Sequence, residues 1–223
     1  MKAKIAIVGS GNIGWALKQL LKSDYDLRQG DIADGFDAKD IKQVKDFLKG
    51  ADAVISAAPF AVNKNIATVA AEEGIAYFDL TEDVETTDFI KTLKSKSILM
   101  PQCGLAPGAI NVCAASMMEE FDSVNEVLMR VGALPRFTTN EMSYYLSWST
   151  NGLINEYCNE ADAIYEGKAI KKMPLEGAEK IVIEGESFEA FNTSGGCATM
   201  CETYAGKVEN LSYKTIRYPG HLN

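Results

Sequence analysis

Short apolar runs alternate with helical patterns over the first half of the chain. The run KIAIV (4–8) has the continuous apolar character of a strand that is buried on both faces of a parallel sheet. Four more strands are predicted in YDLRQGD, ADAVISAAP, IAYFDL and SILMPQ. The predicted helices are GNIGWALKQLLKS, DAKDIKQVKDFLKG, NKNIATVAAEEG, DVETTDFIKTLKSK and, after the fifth strand, GAINVCAASMMEEF. This alternation predicts an α/β fold with a doubly wound parallel sheet.

The pattern changes after residue 122. Strands, many with two-residue alternation, are predicted in VNEVLMRVGAL, EMSYYLSWS, KAIKKM, EKIVIEG, ESFEAF and LSYKTIRY. Helices are predicted in GLINEYCNEADAIYEG and GCATMCETYAGKV. This composition is typical of an α+β domain that is built on a mainly antiparallel sheet. We therefore predict two domains, 1–122 and 123–223.

A glycine motif, GSGNIG (9–14), follows the first predicted strand and opens the first helix. Gly9 permits a tight turn, Gly11 lets the backbone approach a pyrophosphate, and Gly14 lets the helix pack closely on the strand. The first domain is thus predicted to be a Rossmann-type dinucleotide-binding domain whose loop consists of Gly9, Ser10, Gly11, Asn12, Ile13 and Gly14. The same glycines could serve only the turn, or could bind S-adenosylmethionine.

An acidic residue near the end of the second predicted strand bears on the choice of dinucleotide. Asp31 stands about 20 residues after Gly11, where a carboxylate accepts hydrogen bonds from the adenine-side ribose and repels a 2′-phosphate. The sequence therefore favours NAD over NADP. Arg28 and a shift of the acid to Asp26 or Asp34 leave NADP open.

Two later strand ends are predicted to border the same dinucleotide. The third strand ends in SAAPF (56–60), whose residues Ala57, Ala58 and Pro59 could lie along the ribose and nicotinamide. The loop after the fifth strand is predicted to add Gly104 and Leu105 to the cofactor site.

Asp79 and Cys103, at the ends of the fourth and fifth strands, are the candidate catalytic residues. A semi-buried carboxylate such as Asp79 can be tuned toward neutral pH for acid/base work or for holding an amine, although it could also serve as a helix cap or turn acid. Cys103 could line the pocket or be a small buried residue before a glycine turn. A thiolate nucleophile would need a nearby base or cation, and the local sequence supplies neither.

Composition excludes several classes of partner. The 223 residues are 47% hydrophobic and 24% charged, which is ordinary for a globular protein. With a net charge of −9 and scattered basic residues, nucleic acid and anionic membranes are not expected partners. The N-terminus enters a strand at once and leaves no room for a signal peptide, so a cytoplasmic location is expected. Five cysteines without a CxxC pair, and one histidine, predict reduced, mostly buried thiols and no metal site.

Seven motifs occur in the order seen in one known family. They are GSGNIG, DAVISAAPF, YFDLTED, PQCGLAPGAINV, YLSWSTNGLINEY, AFNTSGG and YKTIRYPGH. Through them nearly the whole chain resembles the saccharopine dehydrogenase family, which includes glutamate-forming saccharopine reductases, lysine 6-dehydrogenases and carboxynorspermidine-type enzymes. CGLAPG and YKTIRYPGH are more specific than the glycine loop.

The resemblance implies NAD(P)-dependent hydride transfer at a carbon bearing an amine, by a homodimer with a Rossmann domain and a second α+β domain. It implies that Asp79 and Cys103 act in acid/base chemistry or hold the substrate amine. It also implies that Arg217 pairs a substrate carboxylate, although a surface strand arginine is the alternative. The implied substrate-side walls are Trp148, Ser149, Thr193, Ser194 and Gly195.

The chain departs from the family pattern in two respects. Phe60 stands where the glutamate-forming reductases have a tyrosine after the proline of the third-strand exit. Family members also commonly continue past YPGH with further helices, so a short form or a fragment is expected here.

Three functional hypotheses result from this pattern. The leading one is an NAD(P)-dependent amino-acid dehydrogenase for lysine, saccharopine or a related amine. The others are a catalytically weak dinucleotide-binding sensor or interaction protein and a carboxynorspermidine- or homospermidine-type polyamine synthase.

Overall fold

A parallel sheet of five strands forms the centre of the N-terminal part of the chain. The computed structural model describes residues 2–222, in two units, Met1–Gly104 and Leu105–Asn223. The first sheet has the order β2-β1-β3-β4-β5, with parallel neighbours throughout. Its strands are β1 Lys4–Val8, β2 Asp26–Gly30, β3 Ala53–Ser56, β4 Ala76–Asp79 and β5 Leu99–Met100. The predicted doubly wound sheet is confirmed.

Four helices connect these strands, and their ends follow local chemistry. They are α1 Asn12–Leu21, α2 Ile41–Leu48, α3 Asn63–Glu73 and α4 Val84–Thr92. Asp40 begins α2 by accepting from the N–H groups of Lys42 and Gln43, and Asp83 begins α4 by accepting from Thr86 N. Short 3-10 helices at Ile32–Asp34 and Phe60–Val62 follow β2 and β3. Carboxylate caps thus satisfy helix N-termini that would otherwise lack acceptors.

The core of the first unit lies where the sheet meets its helices. Apolar side chains of β1, β3 and β4 pack with those of α2 and α3, and many have no exposed surface, among them Val44, Leu48, Val54, Ile66, Val69 and Tyr77. Burial on both faces explains why the sequence showed these strands as continuous apolar runs.

The second unit contains a six-stranded sheet of mainly antiparallel pairs. Its elements are α5 Ala109–Met118, β6 Glu126–Val131, α6 Thr150–Cys158, β7 Ala161–Tyr165, β8 Lys168–Lys172, β9 Glu179–Ile183, β10 Glu186–Phe191, α7 Met200–Tyr204 and β11 Asn210–Arg217. The strand order is β8-β7-β11-β10-β9, and β6 pairs with β11 in parallel. The predicted α+β architecture is confirmed.

The division between the units falls after Gly104, earlier than the predicted boundary at 122/123. The physical reason is the position of α5. Its residues Ile110, Ala114 and Met118 pack on the apolar cluster of the second unit, which includes Met129 and Leu211. The helix that follows the fifth strand therefore belongs to the second core.

Three segments of the second unit differ, wholly or in part, from their predicted structure. EMSYYLSWS is a loop rather than a strand, although Tyr144 is buried and Tyr145 is 67% exposed, as alternation requires. The end of GLINEYCNEADAIYEG is strand β7 rather than helix, because Ala163 and Ile164 pair with β11. The helix predicted in GCATMCETYAGKV is confined to α7. Long-range pairing and packing override local periodicity at these places.

Gly14 and Gly11 allow a matched test of packing at the start of α1. A Cβ at Gly14 would lie 2.1 Å from Gly9 O, whereas a Cβ at Gly11 would meet nothing within 4 Å. We expect Gly14→Ala to lower the free energy of unfolding by about 1–3 kcal/mol. Gly11→Ala should change it by less than about 1 kcal/mol. Urea unfolding of both variants is the measurement, and equal losses would contradict the packing argument.

Candidate active site

The glycine turn joins three strand ends of the first sheet. Gly9 has φ +101° and donates its N–H to Gly30 O at 2.8 Å. The side chain of Gln29 donates to Gly9 O at 2.9 Å, which fixes the orientation of that peptide. A Cβ at Gly9 would lie 2.7 Å from Ala57 O, so only glycine allows the turn to rest against the exit of β3. No sequence pattern identifies Gln29 as the residue that holds the Gly9 peptide.

The turn and the first residues of α1 fit a dinucleotide pyrophosphate. Ser10, Gly11, Asn12 and Ile13 are exposed, and the backbone of Gly11 faces open space. Helix α1 begins without a side-chain cap, so its first N–H groups are available to an anion. These features lie beside the strand pair β1 and β3, where the chain order of the sheet reverses, the usual place for a ligand in such folds.

Asp31 is held beside the glycine turn as an ionised carboxylate. It accepts hydrogen bonds from Ser10 N at 2.6 Å and Ala33 N at 3.0 Å. The bond from Ala33, followed by those from Ser10, lowers the pKa of Asp31. Of the two alternative acids, Asp26 begins β2 and therefore lies at the other end of the strand, while Asp34 lies in the 3-10 helix. Asp31 is thus the acid in contact with the turn.

Arg28 contacts the C-terminal end of α2. Its Nη1 donates to Lys49 O at 3.0 Å, and its guanidinium lies 5.3 Å from the centre of the Phe47 ring. These contacts hold the guanidinium without neutralising its charge, and its Nη2 is buried without a hydrogen-bond partner among residues 2–222.

The exit of β3 is fixed by a buried hydrogen bond. Ser56 Oγ donates to Asn63 Oδ1 at 2.7 Å, and Ala57 N donates to Val8 O at 2.8 Å. Ala57 and Ala58 are half-buried and Pro59 is exposed. The exit thus lies next to the glycine turn, as the cofactor prediction requires.

Asp79 is enclosed and fully hydrogen-bonded. Its side chain has no exposed surface; Oδ2 accepts from the Tyr77 hydroxyl at 2.7 Å, and Oδ1 accepts from Thr81 N at 2.9 Å and Gln102 N at 3.1 Å. Burial raises the pKa of Asp79, against the lowering effect of these three donors. In this arrangement the carboxylate ties the end of β4 to the loop after β5, so it positions that loop rather than presenting an acid to solvent.

Cys103 lies on the loop that Asp79 holds. Its N–H donates to Asp79 O at 2.7 Å, and its thiol lies 3.3 Å from Met100 O. Burial and the charge of Asp79 raise the pKa of Cys103, so the thiol stays protonated at neutral pH. Cys103 as a whole is nevertheless exposed, so the alternative of a small buried residue is wrong. Gly104 is half-buried, and Leu105, the first residue of the second unit, is 59% exposed.

Glu82 is a half-buried acid, three residues after Asp79, that the sequence did not single out. Its Oε1 has no hydrogen-bond partner among residues 2–222, and burial raises the pKa of the side chain. The sequence singled out Asp79 in YFDLTED by its position at the end of a strand, but it carried no comparable signal for Glu82.

Arg217 ends β11 in the second unit and is 3% exposed. Its Nε donates to the Tyr157 hydroxyl at 2.9 Å, and its Nη1 donates to Ile216 O at 2.9 Å. The guanidinium lies 4.3 Å from the centre of the Tyr144 ring. Among residues 2–222 it forms no ion pair with a carboxylate, so the alternative of a surface strand arginine is wrong and a buried cation remains for an anion to neutralise.

A family model for the saccharopine dehydrogenase C-terminal domain matches residues 104–223. This match covers more than half of the 223-residue chain. The chain belongs to the saccharopine dehydrogenase family. The predicted resemblance is confirmed, and its second-unit motifs lie within the matched residues.

The chain shares its fold with a solved structure. Apo saccharopine dehydrogenase (L-Glu forming) from Saccharomyces cerevisiae is 19% identical, with a TM-score of 0.76, and the match covers 99% of this chain and 56% of the yeast chain. An oxidoreductase from Sinorhizobium meliloti is 15% identical, with a TM-score of 0.48, over 99% of this chain and 67% of the other. The chain thus spans little more than half the length of the yeast enzyme.

The family motifs of the second unit are placed by internal hydrogen bonds. Trp148 Nε1 donates to the Tyr144 hydroxyl at 2.8 Å, and Ser149 caps α6 by accepting from Gly152 N at 3.1 Å. The hydroxyl of Thr193 lies 2.7 Å from that of Thr215, and Ser194 Oγ donates to Asn155 O at 3.2 Å. Trp148 is therefore linked to Arg217 through Tyr144, while Ser149, Thr193 and Ser194 have structural partners.

One more family position, Gly195, depends on its backbone conformation. Gly195 has φ +81°, which glycine adopts readily in the turn after Ser194.

The cysteine side chains divide between surface and core. Cys197 and Cys201 are buried, whereas Cys103, Cys113 and Cys158 are exposed, so the expectation of mostly buried thiols is wrong.

Among residues 2–222 no helix is both long enough and apolar enough to span a bilayer.

The raised pKa of Asp79 predicts a pH-dependent effect on stability. A folded-state pKa above the unfolded value of about 4 means that ionising Asp79 costs stability as pH rises through that interval. Asp79→Asn removes this cost, and its Oδ1 can still accept from Thr81 and Gln102. We expect the stability of the variant relative to wild type to improve as pH rises from about 4 to 8, measured by urea unfolding.

The exposed Asp46→Asn on α2 is the control for the loss of one negative charge. A difference between Asp79→Asn and wild type that does not change with pH, or that shrinks as pH rises, would contradict the assignment.

Proposed function

We propose that this protein is an NAD(P)-dependent oxidoreductase that acts on the CH–NH group of an amino acid such as saccharopine, lysine or a related amine. The observation that carries the proposal is Arg217, a buried cation at a strand end that lacks a carboxylate partner in the described chain. A dinucleotide turn in the first unit and a carboxylate site in the second are the two binding functions that such an enzyme needs.

The first unit would hold a nicotinamide dinucleotide, which accepts or supplies the hydride. The pyrophosphate would lie on the turn of Gly9 to Gly14, and Asp31 would accept hydrogen bonds from the adenine-side ribose. Because the ionised Asp31 carboxylate would repel a 2′-phosphate, NAD is the preferred form.

The second unit would recognise the carboxylate of the amino acid. A guanidinium presents parallel N–H groups that match the two oxygens of a carboxylate. Within the described chain Nη2 of Arg217 has no acceptor, so its N–H groups remain for a ligand. The aromatic rings of Tyr144 and Tyr157 would exclude water from the pair, which strengthens its electrostatic attraction.

Asp79 and Cys103 would support the reaction at the strand ends of the first unit. In this proposal Asp79 acts as a positioning residue for the loop, and the exposed, protonated Cys103 lines the site without forming a covalent intermediate. In the oxidative direction, hydride would pass from the amine-bearing carbon to the nicotinamide and the nitrogen would lose a proton. Water would then hydrolyse the imine to a carbonyl compound and a free amine.

A second candidate function is a catalytically weak dinucleotide-binding protein. The enclosure of Asp79 favours it, because an acid without exposed surface cannot touch a substrate in this arrangement. Such a protein would bind NAD(H) and show no turnover.

The polyamine synthase hypothesis is tested by analysis of the product, which separates reductive condensation of a polyamine precursor from oxidative deamination. Homodimer formation stays part of the proposal and is tested by sedimentation.

Turnover with amino-acid substrates tests the leading proposal. Purified protein is mixed with NAD or NADP and with saccharopine, lysine or carboxynorspermidine, and the absorbance of the reduced nicotinamide is followed. We expect one substrate to be oxidised, and Arg217→Lys to lower kcat/KM by about 10- to 100-fold, because an ammonium cannot replace the planar fork. Tyr165→Phe, at an exposed residue of β7, is the control. Dinucleotide binding without turnover on any substrate would favour the second candidate.

The charge of Asp31 is expected to determine the choice of dinucleotide. Asp31→Asn keeps an oxygen for the N–H of Ser10 but removes the charge that repels a 2′-phosphate. We expect the affinity for NADP relative to NAD to rise by about tenfold or more, measured by titration calorimetry. Asp34→Asn is the matched control. An unchanged affinity ratio in Asp31→Asn would show that this carboxylate does not select the cofactor.

A further inference from the structure

The turn that follows β11 is fixed against the sheet of the second unit. The two carboxylate oxygens of Glu189 accept from Gly220 N at 3.1 Å and from Leu222 N at 2.9 Å. The Tyr218 hydroxyl donates to Pro135 O at 2.9 Å. These contacts hold the backbone on both sides of the only histidine in the chain, His221.

His221 continues a hydrogen-bond chain that leads to Arg217. Its Nδ1 lies 2.9 Å from Met142 O, and its Nε2 lies 2.9 Å from the Tyr157 hydroxyl. Because a carbonyl oxygen only accepts, Nδ1 carries the proton, and Nε2 of the neutral ring must accept from Tyr157. The Tyr157 oxygen is then free to accept from Arg217 Nε at 2.9 Å. All donors in this chain therefore point in one direction, from Arg217 to Met142 O.

The neutral state that this direction requires is favoured by the surroundings of His221. Burial, and then the charge of Arg217, lower the pKa of His221, while Glu189 and the hydrogen bond to Met142 act in the opposite direction. Phe191 stacks on the imidazole with ring centres 6.2 Å apart, and Tyr144 meets its edge at 5.7 Å.

The partners of Arg217 orient it without neutralising it. Arg130, a second partly buried arginine, shows the alternative: it is paired with the Glu179 carboxylate, which also binds Lys214 Nζ at 2.6 Å. At Arg217 the partners are instead a phenol, a backbone carbonyl and an aromatic ring. Glu189 lies opposite Arg217 in the strand register, but its oxygens are used by the backbone of the last turn.

We propose that Tyr157 and His221 are positioning residues that hold the Arg217 guanidinium in the orientation in which it receives a substrate carboxylate. This inference rests on the proposed function, since it concerns the same carboxylate site. It assigns a role to the terminal YPGH motif: the turn delivers His221 to Tyr157, and Tyr157 fixes Nε of Arg217. Since one N–H of Nη1 is used by Ile216 O, Nη2 and the second N–H of Nη1 are left for a carboxylate. The neutral partners keep the full positive charge available.

Variants of the two residues test the proposal through binding and kinetics. Tyr157→Phe keeps the ring and removes the hydroxyl that Arg217 requires. We expect its KM for the substrate found by the turnover assay, and its Kd for glutarate, to rise about tenfold with a smaller change in kcat. Tyr165→Phe removes an exposed hydroxyl of β7 and should leave both constants unchanged. Thermal unfolding of each variant reports whether the fold is intact.

A second pair of variants keeps the test decisive if Tyr157→Phe is destabilised. His221→Gln retains an amide oxygen that can accept from Tyr157, whereas His221→Ala retains no acceptor. We expect His221→Ala to weaken glutarate binding severalfold and His221→Gln to restore most of it. A purely structural role predicts equal glutarate affinity in the two variants, and that result would overturn the proposal.

The single histidine also gives a direct spectroscopic probe. In protein labelled with ¹⁵N-histidine, the ring nitrogen shifts should report a proton on Nδ1 and a hydrogen-bonded Nε2, and Tyr157→Phe should move the Nε2 signal. Glutarate, a dicarboxylate without an amine, should shift the ring signals. Cadaverine, a diamine without a carboxylate, should not. A proton on Nε2, or ring signals that do not respond to glutarate, would overturn the proposal.

The two proposals fail in different ways. Binding of glutarate with the expected effects of Tyr157 and His221 variants, but no turnover of any amine, supports the positioning role and contradicts the oxidoreductase. Turnover in which these variants keep the wild-type KM supports the oxidoreductase and contradicts the positioning role.

Discussion

The buried carboxylate of Asp79 determines the arrangement of the strand ends in the first unit. A charge without exposed surface is unfavourable unless every oxygen is hydrogen-bonded, and Asp79 meets this requirement with Tyr77, Thr81 and Gln102. Two of these donors come from β4 and the residues after it, and the third comes from the loop after β5. The short strand β5 has only two residues, so this hydrogen bond and that of Cys103 N fix a loop that the ladder alone holds weakly.

The second unit buries a charge of the opposite sign, and a tyrosine hydroxyl again contacts it. Arg217 is a buried cation, and a tyrosine hydroxyl accepts from it, just as a tyrosine hydroxyl donates to Asp79. A phenol can do either because it carries both a donor and an acceptor. In each case a neutral neighbour fixes a charge without cancelling it. Arg130, by contrast, is paired with the Glu179 carboxylate, which also binds Lys214.

The parts of the fold that the sequence predicted are those in which one local pattern decides the structure. Buried parallel strands such as KIAIV and glycine-ended helices such as α3 are of this kind, and so is the motif of Gly9 to Gly14. The strand predicted around Tyr144 is a loop in the structure, and the prediction was wrong for a physical reason. Its alternating exposure comes from one ring packing on Arg217 and its neighbour facing solvent, which imitates the period of a strand without any ladder.

The same distinction between local and long-range patterns separates the site residues that the sequence predicted from those that it missed. Asp31 contacts a turn whose motif is local, and its spacing from the glycines was sufficient to find it. Tyr157, Tyr144 and His221 come from a helix, a loop and a terminal turn, and only the pairing of β11 with its neighbours brings them to Arg217. No period along the chain marks such residues. The sequence showed YPGH as a motif but did not show its role. That role depends on Tyr157, which lies more than sixty residues from His221 in sequence.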